Sequence, residues 1–107
     1  MRVTVAHKIG AEGAIAAIDR GIEEALKNIK SAPVEIADVK RSWAGSVLTY
    51  SFTAKKGFLQ GQIKGTVEVA DAWVVIHADL GMFGHFIPED KAQEAIKSKM
   101  RELLVPA

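Results

Sequence analysis

The hydrophobic pattern predicts an α+β fold of order β-α-β-β-β-β-α, an antiparallel sheet with two helices packed on one face. Three observations carry this. Apolar residues recur at every second position in several stretches, the period of a strand with one buried face. In two further stretches they recur at steps of three and four, the period of an amphipathic helix. The later strands are joined by short turns, which connect antiparallel neighbours. Each helix offers one apolar stripe, so both can cover the same side of the sheet. The 107 residues form a single domain, 1–107, with enough chain for one core.

The first strand covers Arg2 to Ile9, with Val3, Val5, His7 and Ile9 on one side and Arg2, Thr4, Ala6 and Lys8 on the other. Gly10 ends it. From Ala11 to Lys30 the period changes, and Ile15, Ile18, Ile22, Ala25, Leu26 and Ile29 form one helical stripe. Glu12 in the first turn and Lys27 and Lys30 in the last suit the helix dipole. Gly21 costs about 1 kcal/mol relative to alanine inside a helix; a close crossing over another backbone would explain it. Ser31-Ala32-Pro33 stops the helix.

Val34 to Val39 is β-branched and alternating, a second strand. Lys40 to Ser46, with Trp43 and Gly45, is less regular. Val47 to Ala54 alternates again, and Lys55-Lys56-Gly57 makes a turn. Leu59 to Val69 is the clearest strand: Leu59, Gly61, Ile63, Gly65, Val67 and Val69 share one face, and Gln60, Gln62, Lys64, Thr66 and Glu68 the other. Ala70-Asp71 turns into the last strand, Ala72 to Leu80, with Trp73, Val75, His77 and Asp79 opposite Val74 and Ile76. Gly81 to Ile87 crosses from sheet to helix. Pro88 fits a first helical position, Glu89 and Asp90 suit its dipole, and Ala92, Ile96, Met100 and Leu103 mark a second helix ending near Val105-Pro106.

Composition excludes several classes. The 14 basic and 13 acidic residues give a net charge of +1, without the basic stripe of a nucleic-acid-binding domain. No cysteine is present, so there is no disulfide framework, thiolate zinc site or cysteine nucleophile. The opening MRVTVAHKIG lacks the apolar region of a signal peptide, and no stretch approaches the ~18 apolar residues of a membrane span. The expectation is a cytoplasmic protein with no transmembrane segment and no nucleic-acid partner.

Two remainders mark candidate binding residues. Gly61 and Gly65 sit on the apolar face, where a strand glycine signals either a bend around a packed helix or a cavity floor approached by a ligand. Trp73 and Val75 lie on the outer face, which should be polar, and Trp43 from the irregular stretch can join them. Met82, Phe83 and Phe86 crowd the last loop; they tuck under the last helix or meet a partner. A contiguous apolar cluster calls for a cover. Either the chain's own loops supply it, or an external partner does: a second copy, making a homodimer, or an apolar surface.

Chemistry is thinner. His77 and Asp79 share a strand face and His85 follows, a set that could ligate a metal or serve acid–base chemistry, but short His-x-Asp matches arise by chance. His7 aligns with Val3 and Val5 and reads as a satisfied histidine at a strand end. GSVLT lacks the nucleophile-elbow form, and the glycines form neither G-x-G-x-x-G nor a P-loop. No catalytic residue, metal or cofactor is assigned. A small hydrolase or isomerase using His77 and Asp79 is the lesser alternative to a non-enzymatic module.

The later half also carries a recognisable pattern: G-x-I-x-G-x-V-x-V from Gly61 to Val69, a short turn, a V-x-V-type strand ending in Leu80-Gly81, an apolar stretch with Phe86, and a C-terminal helix. With His7-Lys8-Ile9-Gly10 and its following helix, this resembles the polyhydroxyalkanoic acid system family, small bacterial proteins also called the granule-region family. The resemblance implies a non-enzymatic accessory role at polyhydroxyalkanoate granules, binding the polymer, its phospholipid boundary, an apolar acyl ligand or other granule proteins. Trp73, Val75, Met82, Phe83 and Phe86 would make that contact. The sequence departs from the family by Lys40-Arg41-Ser42 before Trp43. It also lacks the Leu/Ala-rich arm of phasins, the main granule-coating proteins.

Overall fold

A computed structural model describes residues 1–27, 35–81 and 89–105. Its elements are β1 (Arg2–Ala6), α1 (Gly10–Lys27), β2 (Glu35–Ala44), β3 (Val47–Lys56), β4 (Leu59–Val69), β5 (Trp73–Asp79) and α2 (Glu89–Leu103). All neighbouring strands are antiparallel, in the order β1-β5-β4-β3-β2. Strands β2 to β5 form a meander, and β1 closes against β5. The β1–α1–β2 connection therefore crosses the sheet from one edge to the other. The proposed helix stop at Ser31-Ala32-Pro33 and the helix start at Pro88 lie outside the described residues.

Register fixes the two faces. Val3, Ile76, Val67 and Leu48 lie in one cross-strand row, and Phe52 pairs with Ile63. These residues join Ala14, Ile18 and Ile22 of α1 and Met100 and Leu104, at the end of α2, in a single core. Both helices thus cover the same sheet face, as the pattern predicts. The opposite face carries Thr49, Ser51, Thr53, Gln60, Gln62, Lys64 and Thr66, side chains that keep their hydrogen bonds to water. Residues of Val, Leu and Ile size each contribute roughly 1.5–3 kcal/mol when fully buried, so this one-sided core is what holds the sheet flat against the helices.

Two glycines are explained by packing. A side chain at Gly21 would collide with the terminal methyl of Leu103, so glycine lets α1 and α2 approach. The close neighbour is a side chain of α2, where the sequence suggested a backbone. At Gly65 the obstruction is the His77 carbonyl and the Tyr50 hydroxyl. Tyr50, paired with Gly65 across the β3–β4 ladder, lays its ring over the glycine and donates a hydrogen bond to the His77 carbonyl at 2.9 Å. Its ring also stacks on Phe52, with centroids 6.3 Å apart. Burial pushes the Tyr50 phenol up to about 12, because the ionised form would lose its water.

Strand β2 departs from the sequence reading. It continues through the irregular stretch to Ala44. Between Ala37 and Lys40 the register advances three residues while β3 advances two, from Thr53 to Ser51. That is a β-bulge, with Asp38 at φ +54°, a left-handed conformation that Asp tolerates better than most residues. The extra residue flips the parity of everything after it. Alternation looks broken there because it changes phase, not because the strand ends.

Candidate functional site

The sheet has two ends of different character. At one end lie the β2–β3 turn, the β4–β5 turn and the start of α1. His7 is 8% exposed there. Its Nε2 lies 2.9 Å from the Ala70 carbonyl, and its Nδ1 faces the Ile9 amide at 3.4 Å. A carbonyl can only accept and an amide N–H can only donate, so this network requires the neutral tautomer with the proton on Nε2. The His7 amide also donates to the Ala72 carbonyl at 3.0 Å. The Asp71 carboxylate accepts from the Ala11 amide at 3.1 Å, placing negative charge on one of the unpaired N–H groups in the first turn of α1. The Val69 amide donates to Ser46 at 2.9 Å. His7 is therefore the satisfied strand-end histidine that its alignment with Val3 and Val5 suggests.

At the opposite end the β3–β4 hairpin runs past β5, flanked by β2, which pairs with β3 out to Glu35 and Lys55. Strand β5 pairs with β4 only from Lys64 to Val69, while β3 pairs with β4 out to Lys56 and Leu59. Residues Leu59 to Ile63 therefore have β3 as their ladder partner. Between Lys56 and Leu59 stand just two residues, Gly57 and Phe58. Gly57 has φ +62°, and glycine in the first central position is the requirement of a type II′ hairpin turn. Phe58 takes the second position and is fully exposed.

The sequence-derived candidates do not converge on one patch. Trp73 is 52% exposed on the outer face, opposite Ala6 of β1. Val75 shares that face but is only 7% exposed. Its neighbours are Thr4 and Glu68 across the ladders and Trp73 and His77 along β5. Trp43 does not join them. It pairs with Leu48, on the helix side, and its indole Nε1 donates to the Asp19 carboxylate of α1 at 3.0 Å. The reason is the bulge, which moves Trp43 to the other face. Arg41, on the same side, donates to the Asp19 carbonyl at 2.8 Å and lies 3.8 Å from its carboxylate. Together Trp43 and Arg41 tie the edge strand to α1.

Gly65 is no cavity floor, since Tyr50 fills the space above it. Gly61 is half-buried opposite Ala54. Met82, Phe83, His85 and Phe86 lie outside the described residues. His77 and Asp79 do share the outer face but are separately engaged. His77 Nε2 lies 3.7 Å from a Glu68 carboxylate oxygen, and Asp79 accepts from the Gly81 amide at 3.0 Å. Among the described residues, no three His, Asp or Glu side chains stand close enough to hold a metal ion, and no helix is long and apolar enough to cross a membrane.

The chain matches no family model, no curated protein and no solved structure.

Phe58 is the residue that periodicity misses. A lone aromatic in a turn belongs to no pattern. The signal was present as a pairing count: with Lys56 and Leu59 as the closing pair, Gly57 and Phe58 are left to form the loop, and Phe58 must point out.

Proposed function

We propose that the chain is a non-enzymatic accessory protein that attaches to an apolar surface, and that the surface is a polyhydroxyalkanoate granule, as its resemblance to the polyhydroxyalkanoic acid system family implies. The observation that carries the reading is Trp73. A side chain of this size is highly buried on average. Here it is held half in solvent, at the β1–β5 ladder, on a face lined mostly with hydroxyls, amides and charges. Val75, two residues along on the same face, is buried. Such a placement costs solubility and is consistent with a contact kept for a partner. In this reading the protein is cytoplasmic and works without a cofactor.

The test is co-sedimentation with lipid-free polyhydroxybutyrate particles. The wild type should pellet with the particles, and Trp73→Lys should remain in the supernatant. Light scattering on the same two proteins separates the alternative cover for this face, a second copy of the chain. If the wild type is dimeric, Trp73→Lys is monomeric and neither sediments with polyester, the face is a dimer contact and the granule reading fails.

A further inference from the structure

We propose that the tip of the β3–β4 hairpin is a lipid-surface anchor that inserts Phe58 at an interface carrying anionic headgroups. This rests on the reading above that the protein attaches to a surface, and it names the chemistry of that surface at a second point of contact.

The first argument is exposure. Phe58 has as much accessible surface as it would in an open chain, although its backbone is fixed by a two-residue turn between paired strands. The hairpin extends past the last β4–β5 pair, Lys64 and Asp79, and its closing pair stands one position beyond the last β2–β3 pair, Glu35 and Lys55, so among the described residues the ring sits at the tip of the sheet.

The second argument is charge. From Lys40 to Val67 the sequence holds Lys40, Arg41, Lys55, Lys56 and Lys64 and no Asp or Glu. That is a charge of +5. The whole chain is +1, so everything else sums to 1 − 5, or −4. The stretch from the second half of β2 through β3 and most of β4 is therefore a basic arm in sequence. Lys55 and Lys56 immediately precede the turn. Acidic groups do approach the arm: Glu35 stands opposite Lys55, Asp79 opposite Lys64, and Asp19 pairs with Arg41. None of them lies within the turn itself.

One aromatic at a projecting tip, with two cations behind it, fits a headgroup boundary. The ring enters the apolar layer while the lysine stems lie along it and their ammonium groups stay with the phosphates. Single-stranded nucleic acid would need aromatic platforms along a groove. The outer faces of β3 and β4 carry Thr, Ser and Gln instead.

The test uses vesicles of phosphatidylcholine alone and vesicles in which part of it is replaced by phosphatidylglycerol. The full chain should co-sediment with the anionic vesicles, less well as salt rises. Phe58→Ser should weaken this about tenfold or more, as expected from withdrawing one buried aromatic. Lys55→Gln together with Lys56→Gln should weaken it by roughly tenfold at low salt. Circular dichroism on each variant checks that the fold is kept. The proposal is overturned if the wild type ignores anionic vesicles, if Phe58→Ser binds them as well as the wild type, or if a single-stranded oligonucleotide is bound while the vesicles are not. It is equally overturned if Phe58→Ser changes the mass seen by light scattering and leaves vesicle binding alone. Failure here is separate from failure of the polyester reading, which is judged on lipid-free particles with Trp73→Lys.

Discussion

The two ends of the sheet are built from the same strands and solve opposite problems. At the closed end, His7, Asp71, Ala70 and Ser46 exchange hydrogen bonds between segments more than 20 residues apart, and the ladder extends across all five strands, from β1 to β2. At the projecting end, β2, β3 and β4 run on past β5, and the β3–β4 turn carries a fully exposed phenylalanine as its second residue. Stability should therefore depend on the closed end and the sheet centre, and attachment on side chains whose loss the fold barely registers.

The largest effect expected is at the sheet centre. Gly65→Val places carbon against the His77 carbonyl, which is backbone and cannot swing aside. Destabilisation of about 3 kcal/mol or more should follow, read as a fall in the urea midpoint. A near-neutral result would mean that the His77 carbonyl does not stand where a side chain at position 65 would go.

Tyr50 gives a second handle. It is the chain's one tyrosine, so tyrosinate absorbance reports it alone. Its folded value of about 12 stands above the unfolded 10.0. The contribution is therefore complete below pH 10 and is lost as pH rises through 12, because the unfolded chain releases its proton first. The loss should reach roughly 2–3 kcal/mol. Lysines titrate in the same range, so the measurement is the wild-type pH profile minus that of Tyr50→Phe. Parallel profiles would contradict the buried phenol.

At the closed end, His7→Ala removes a ring bonded through both nitrogens and leaves the Ala70 carbonyl and Ile9 amide without it. About 2 kcal/mol should be lost in denaturant unfolding. At the projecting end, Phe58→Ser should move stability by less than about 0.5 kcal/mol, the range of ordinary surface changes. Comparable losses at His7 and Phe58 would erase the distinction between the two ends.

Much of this architecture is legible in the sequence. The unbroken alternation of Leu59 to Val69 and the Ile15-Ile18-Ile22 stripe give their elements directly, because burial on one side imposes its own period. What escapes is whatever depends on a neighbour across the sheet. Trp43 comes from a stretch with no readable alternation, and the bulge at Asp38 that puts it on the helix side shows only in the pairing with β3. Val75 has the predicted parity, yet its burial is decided by side chains around it on other strands. Gly65 invites a cavity until Tyr50, 15 positions earlier, is seen to lie across it. Phe58 escapes because a turn residue has no periodicity to break.

The central claim is that Trp73 is held outward for contact with an apolar surface. Of the chain's two tryptophans, Trp43 is committed to Asp19, so a Trp43→Phe background leaves Trp73 as the sole indole. Fluorescence quenching by acrylamide then reads its exposure directly. Adding lipid-free polyhydroxybutyrate particles should shield Trp73 from the quencher and shift its emission to the blue. Unchanged quenching with the protein bound to the particles would show that attachment goes through another part of the chain, and would contradict the claim.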